Sequence, residues 1–240
     1  MEVTKKAKVK GSIGELFNAG AHFGYTKSRR HPSAKPFLFG VKNKIEIFDL
    51  EKTGVALAAA ANFVKSLGEV GAQILFVGGK SEARVAIKNG AESIGMPYVA
   101  GRWIGGTITN FAEIRKRVMK LERLTMEKEK GELGKYTKKE RLLIDREIEK
   151  LKQYFEGLAP MKELPKAIFV IDSKHEETAV REANDRNIPI VSLSGSDCDL
   201  KEVDYAIPGN DSSRNSIAFF VNQIVEAYNE GKAAATAAKK

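Results

Sequence analysis

Ile74-Leu75-Phe76-Val77-Gly78-Gly79-Lys80-Ser81 is a short apolar run that ends in two glycines and opens into a helical pattern reaching about Ile94, with Pro97-Tyr98-Val99 beyond it. A strand, a helix and a second strand packed into so short a span make one unit of a parallel sheet wrapped by helices. The alternation recurs around Ile168-Phe169-Val170-Ile171 and Ile190-Val191-Ser192-Leu193, and Ile45-Glu46-Ile47-Phe48 is read as a further strand of the same kind. Helices are expected over about Thr53 to Leu67, Ser81 to Ile94, His175 to Asn187 and Ser213 to Asn229. Ser12 with Glu15 and Ser173 with Glu176 have the spacing of a reciprocal helix cap. The fold class is therefore α/β, a parallel sheet flanked by helices, covering residues 45–109 and 158–230.

Between these two stretches, over residues 110–157, no strand pattern appears, and fourteen Lys or Arg stand among ten Asp or Glu. Phe111, Ile114, Val118 and Leu121 form one helical seam, and Ile144, Ile148, Leu151 and Phe155 another. Gly131 and Gly134 permit a reversal between them, while Asn110 with Glu113 and Thr137 with Glu140 supply starting caps. The segment reads as an inserted antiparallel coiled-coil helical hairpin that projects from the sheet domain. Pattern alone leaves its role open between a solvated coiled coil and a contact arm for a large partner. Residues 231–240, rich in Ala and Lys, are expected to be a disordered tail.

Charge is distributed unevenly. The chain of 240 residues has a net charge of +9, and residues 1–44 hold nearly all of it, with ten Lys or Arg against Glu2 and Glu15. Interleaved with that charge are rings and glycines: His22-Phe23-Gly24-Tyr25, then Arg29-Arg30-His31-Pro32, then Lys35-Pro36-Phe37-Leu38-Phe39-Gly40. A targeting sequence is disfavoured because residues 1–10 contain no apolar core, and a solubilising arm has no need of Phe17, Phe23, Phe37 and Phe39. Cationic donors beside stacking surfaces are what a phosphate backbone with accessible bases rewards. Lys27, Arg29, Arg30, Lys35, Lys42 and Lys44 are the expected phosphate contacts, and Tyr25 and Phe37 either stack on a base or pack beneath the basic loop. Arg102 is a further phosphate donor, and Arg115, Lys116, Arg117, Lys138 and Lys139 form a second basic set on the hairpin.

Other classes fit less well. No apolar stretch reaches the eighteen or so residues that cross a bilayer, so no membrane partner is expected. Cys198 is the sole cysteine, which excludes an internal disulfide and fits a reducing cytoplasm; His22, His31 and His175 lack ligand spacing, so no metal and no cofactor are expected. Gly78-Gly79-Lys80-Ser81 ends like a phosphate-binding loop, but Ile74 occupies the position of the required first glycine. A nucleotide-binding α/β enzyme built on this loop is the alternative from another class, and no catalytic constellation supports it. Asp197-Cys198-Asp199 follows a strand, as sheet-edge ligand loops do, yet lacks a catalytic partner. Gly101-Arg102-Trp103-Ile104-Gly105-Gly106-Thr107-Ile108-Thr109-Asn110-Phe111 holds the only tryptophan at the joint with the hairpin, and a structural hinge explains most of it.

Taken in order, His22-Phe23-Gly24, Lys35-Pro36-Phe37-Leu38-Phe39-Gly40, Ile47-Phe48-Asp49-Leu50-Glu51-Lys52-Thr53, Phe76-Val77-Gly78, Gly95-Met96-Pro97-Tyr98-Val99, Arg102-Trp103-Ile104-Gly105-Gly106-Thr107, Asn110-Phe111, Leu164-Pro165 and Ile207-Pro208-Gly209-Asn210-Asp211 carry a resemblance. From about Gly14 to Tyr228 the chain resembles the family of the second protein of the small ribosomal subunit, in its bacterial form. The resemblance implies a flavodoxin-like domain with an inserted helical hairpin, no enzymatic activity, and a ribosome-bound place in the cytoplasm. The implied partners are small-subunit ribosomal RNA and neighbouring ribosomal proteins, including the large messenger-binding one, with no small-molecule substrate. The chain departs from the family pattern at Tyr25, where a second histidine is usual, in the Gly195 to Leu200 loop, and at Arg214, one residue before the expected arginine.

Overall fold

A computed structural model describes residues 13–238. Lys5, Lys6, Lys8, Lys10 and the expected cap of Ser12 on Glu15 lie outside the described residues. The elements are α1 (Ile13–Asn18), β1 (Phe23–Thr26), β2 (Leu38–Lys42), β3 (Ile45–Phe48), α2 (Leu50–Glu69), β4 (Ile74–Val77), α3 (Arg84–Ser93), β5 (Tyr98–Val99), α4 (Phe111–Glu129), α5 (Lys138–Phe155), β6 (Ala167–Ile171), α6 (Glu177–Asp185), β7 (Ile190–Ser194), β8 (Tyr205–Pro208) and α7 (Arg214–Ala238).

The fold is α/β, with a five-stranded sheet in the order β5-β4-β6-β7-β8. Counted along the chain that order is 2-1-3-4-5, the doubly wound arrangement of flavodoxin-like folds. The pairs β4–β5, β4–β6 and β7–β8 are parallel. Every residue of β4, β6 and β7 is buried, which is why β4 and β6 read as continuous apolar runs rather than alternating ones.

Two compact units make up the chain, one of Met1–Ala72 with Val191–Lys240 and one of Gln73–Ile190. In the first, β1, β3 and β2 form a small antiparallel sheet with β3 at its centre. This corrects the expectation that Ile45 to Phe48 joins the parallel sheet. Lys42 pairs with Ile45, leaving only Asn43 and Lys44 as the connection, and two residues can join strands only in antiparallel fashion. The basic segment is thus folded from Ile13 onward rather than a bare extension.

In the same unit, Asp49 Oδ1 caps α2 by accepting from the Glu51 N–H at 3.1 Å, and α2 packs along α7 and β8. The α2–α7 crossing is close: a Cβ on Gly68 would stand 2.3 Å from Tyr228 O, and one on Gly231 would stand 2.1 Å from Lys65 O. Past that contact α7 runs on as far as Ala238, over a stretch where the sequence predicts a disordered tail. Alanine has the highest helix propensity, and buried Gly231 anchors the start of this last stretch against α2.

The second unit holds β5, β4 and β6 with a core in which Phe76 meets Phe169 edge to face at 5.5 Å. Ile114, Val118, Leu121 and Leu124 of α4 and Ile148, Leu151 and Phe155 of α5 are buried. Lys128 pairs with Asp145 at 2.7 Å and Lys120 with Glu147, so residues later on α4 face residues earlier on α5. The expected Thr137–Glu140 capping box is present, whereas Asn110 makes no side-chain cap. Gly131 turns the chain between the helices with a left-handed φ of 72°.

Candidate nucleic-acid interface

In the first unit a basic loop, residues 27–37, runs from β1 to β2 and is stitched to the loop that follows β7. Ser196 is the centre of that stitching: its Oγ accepts from the Tyr25 N–H at 2.9 Å and its carbonyl accepts from the His31 N–H at 2.8 Å. Ser33 Oγ donates to Cys198 O and accepts from the Leu200 N–H. Beneath the loop Ala34, Cys198 and Leu200 form an apolar cluster against which Phe37 packs. Phe37 therefore supports the loop from below, and Cys198 is a fully buried core group rather than a reactive thiol.

Above this support the cations separate into two kinds. Arg30 Nη1 holds Glu46 Oε1 at 3.1 Å, and the Glu46 side chain is wholly buried on β3. Arg30, expected as a phosphate contact, thus also carries a structural charge in the fold. Lys27, Arg29, Lys35, Lys42 and Lys44 are exposed and form no ion pair among the described residues. Arg29 lies over the Tyr25 ring at 5.8 Å, while the Tyr25 hydroxyl bonds Ser212 Oγ at 2.7 Å. Tyr25 thus orients an arginine that a planar phosphate-binding contact can use.

Beside the cations lies an apolar groove of about 620 Å³, lined by Phe17, His22, Phe23, Phe39, Val41 and Ile45 among others. Phe39 is 83% exposed and Phe17 60%, which is unusual for rings of this size. His22 stacks on Phe17 at 4.5 Å, and burial pushes its imidazole pKa down, favouring the neutral ring that suits such a surface.

In the second unit the glycine-rich tract is assembled on one carboxylate. Glu182 of α6, 6% exposed, accepts from Trp103 Nε1 at 3.0 Å, from the N–H groups of Gly106, Ile108 and Thr109 at 2.8–3.0 Å, and from Thr109 Oγ1. Burial pushes the Glu182 carboxyl up, but the Trp103, Thr109, Gly106 and Ile108 donors outweigh it and hold its pKa below the ordinary value. Sequence reasoning missed this residue. The available signal was a glutamate three positions after buried Ala179, on the apolar face of α6.

Arg102 leaves this tract without an ion pair among the described residues. Of the second basic set, Arg115 reaches Glu122 at 3.8 Å and Ala159 O at 3.4 Å, and Lys116 pairs with Glu113 at 2.6 Å. Arg117, Lys138 and Lys139 are exposed with no such partner among the described residues.

The crevice at the carboxyl ends of β4 and β6 is where flavodoxin-like sheets hold a ligand phosphate. Here Lys80 Nζ is paired with Asp172 Oδ2 at 2.5 Å, and the Gly79 N–H is taken by Glu176 Oε1 at 2.9 Å. Asp172 and Glu176 are buried, and Asp172 also accepts from the Lys174 and His175 N–H groups. Two carboxylates stand where a nucleotide's phosphates would go, so the structure gives the enzyme alternative no support.

A flavodoxin-like domain together with a small basic antiparallel sheet is the class of protein these features define. The family model for ribosomal protein S2 matches residues 16–231. Small ribosomal subunit protein uS2 of a Nitratiruptor species is 43% identical over 221 residues, covering 92% of this chain and 83% of its own length. The uS2 proteins of Campylobacter lari and Helicobacter acinonychis are each 44% identical, covering 92% of this chain and 85% and 90% of their own lengths. This chain belongs to the ribosomal protein S2 family.

Proposed function

We propose that this chain is a structural constituent of the small ribosomal subunit that docks onto folded ribosomal RNA by charge and shape, contributes to subunit assembly and translation, and carries out no chemical step. The observation that carries the reading is the set Lys27, Arg29, Lys35, Lys42 and Lys44, exposed on one folded scaffold with no carboxylate answering them among the described residues. Five cations left without counter-charge are suited to a polyanion. Arg102, Arg117, Lys138 and Lys139 extend the contact from the second unit. Helices α4 and α5 serve as a projecting coiled-coil hairpin, with Arg115 and Lys116 paired along its surface. The protein works bound to ribosomes in the cytoplasm.

The apolar groove around Phe17 and Phe39 suits a protein neighbour better than a phosphate backbone, because rings and aliphatic side chains make up most of its lining beside Lys42 and Asn43. It supports the partner half of the reading: neighbouring small-subunit proteins, the large messenger-binding ribosomal protein among them. The test is binding to small subunits depleted of this protein, measured across a series of KCl concentrations. Arg29→Ala with Lys42→Ala should lower the slope of log affinity against log salt by about 1.4–1.8, two contacts' worth. An unchanged slope would remove these residues from the interface.

A further inference from the structure

The β2–β3 turn conflicts with its own sequence. Asn43 and Lys44 are its two central residues, with φ of 51° and 65°. Two left-handed residues in a two-residue connection define the type I′ hairpin turn, whose preferred sequence is Asn followed by Gly. Asn43 fits the first position. Lys44 stands at the second, where glycine is most favoured and an L side chain crowds the adjacent carbonyl. Backbone strain retained at an exposed position points from the outlier to a use for the side chain.

The surroundings narrow that use. Lys44 is exposed, as are Lys42 and Asn43, and neither lysine has an ion-pair partner among the described residues. Its charge therefore closes no ion pair within the described fold. We infer that Lys44 is retained in the left-handed conformation because its ammonium contacts a phosphate of folded RNA, making the hairpin tip a phosphate-binding point with Lys42 beside it. This deepens the RNA-docking reading and rests on it. Stability and binding pull in opposite directions at this one residue, and glycine would satisfy the first while losing the second.

The experiment compares wild-type protein with Lys44→Gly and Lys44→Gln, measuring Tm of the free chain and affinity for depleted small subunits across KCl concentrations. Lys44→Gly should raise Tm by roughly 2–4 °C by relieving the turn. It should also weaken binding about 5–10-fold near 0.1 M salt and lower the salt slope by about 0.7–0.9, one contact. Lys44→Gln, which keeps the strain and loses the charge, should show the same binding loss with no rise in Tm. Wild-type affinity and slope in both variants would overturn the inference, and faster aggregation alongside that result would assign Lys44 to guarding the β2 edge. Wild-type protein that shows no salt-dependent binding at all would instead overturn the RNA reading beneath it.

Discussion

Glu46 in the first unit and Glu182 in the second are both buried carboxylates, and the two regions hold them by opposite means. Glu46 is held by a cation, Arg30, and its second oxygen, Oε2, has no hydrogen-bond partner among the described residues. Glu182 has no cation at all among the described residues; neutral backbone, indole and hydroxyl donors engage both its oxygens. The basic region draws one of its arginines inward to close its small sheet, whereas the glycine-rich tract folds around a negative charge with neutral donors alone. A basic residue in a basic segment is therefore not by that fact an RNA contact. A run of glycines at a joint is likewise not by that fact a flexible hinge.

The comparison can be broken most forcefully at Arg30. Arg30→Ala leaves Glu46 buried and uncompensated, and should cost about 3 kcal/mol, the low end for a buried pair because Arg30 is partly exposed. Urea denaturation measures it, and adding Glu46→Gln should recover much of the loss. Recovery would show that the stranded charge, rather than lost packing, was the cause.

Glu182→Gln comes next. It turns an amide N–H₂ toward backbone or indole N–H groups that can only donate, and should cost about 2–3 kcal/mol at pH 7. Because the folded Glu182 carboxyl lies below its ordinary pKa of 4.5, its contribution is fully present above that value and is lost as pH falls through the folded one. Tm of wild type and Glu182→Gln should converge as pH drops below about 4.5, and a constant gap down to about pH 3 would contradict the role given to the charge.

Arg29→Ala is the smallest in stability and the sharpest in contrast with its neighbour. It should change unfolding free energy by no more than about 0.5 kcal/mol, being an exposed side chain outside the core. It should also lower the salt slope of subunit binding by about 0.7–0.9. If Arg29→Ala and Arg30→Ala affected stability equally, the division between committed and available cations would fail.

The parallel core was legible because fully buried strands show as unbroken apolar runs, and Ile74 to Val77 and Ile168 to Ile171 do so plainly. β1, β2 and β8 were not, since each is partly exposed and short, and β1 and β2 are interrupted by glycine. Ile45 to Phe48 was seen as a strand but assigned to the wrong sheet, because direction depends on the connection and not on the run itself. In the site, the exposed cations could be read from charge density alone. The commitment of Arg30 could not, since it depends on a residue sixteen positions away whose burial is set by the sheet. Glu182 was hidden for the same reason, with its donors more than seventy positions earlier in the chain.

Lysine acetylation footprinting of small subunits containing this protein, set against the free protein, tests the central claim most directly. Lys27, Lys35, Lys42 and Lys44 should lose most of their reactivity on assembly, while Lys116, paired along α4, stays as reactive as before. Full reactivity of those four lysines in the assembled subunit would contradict the account.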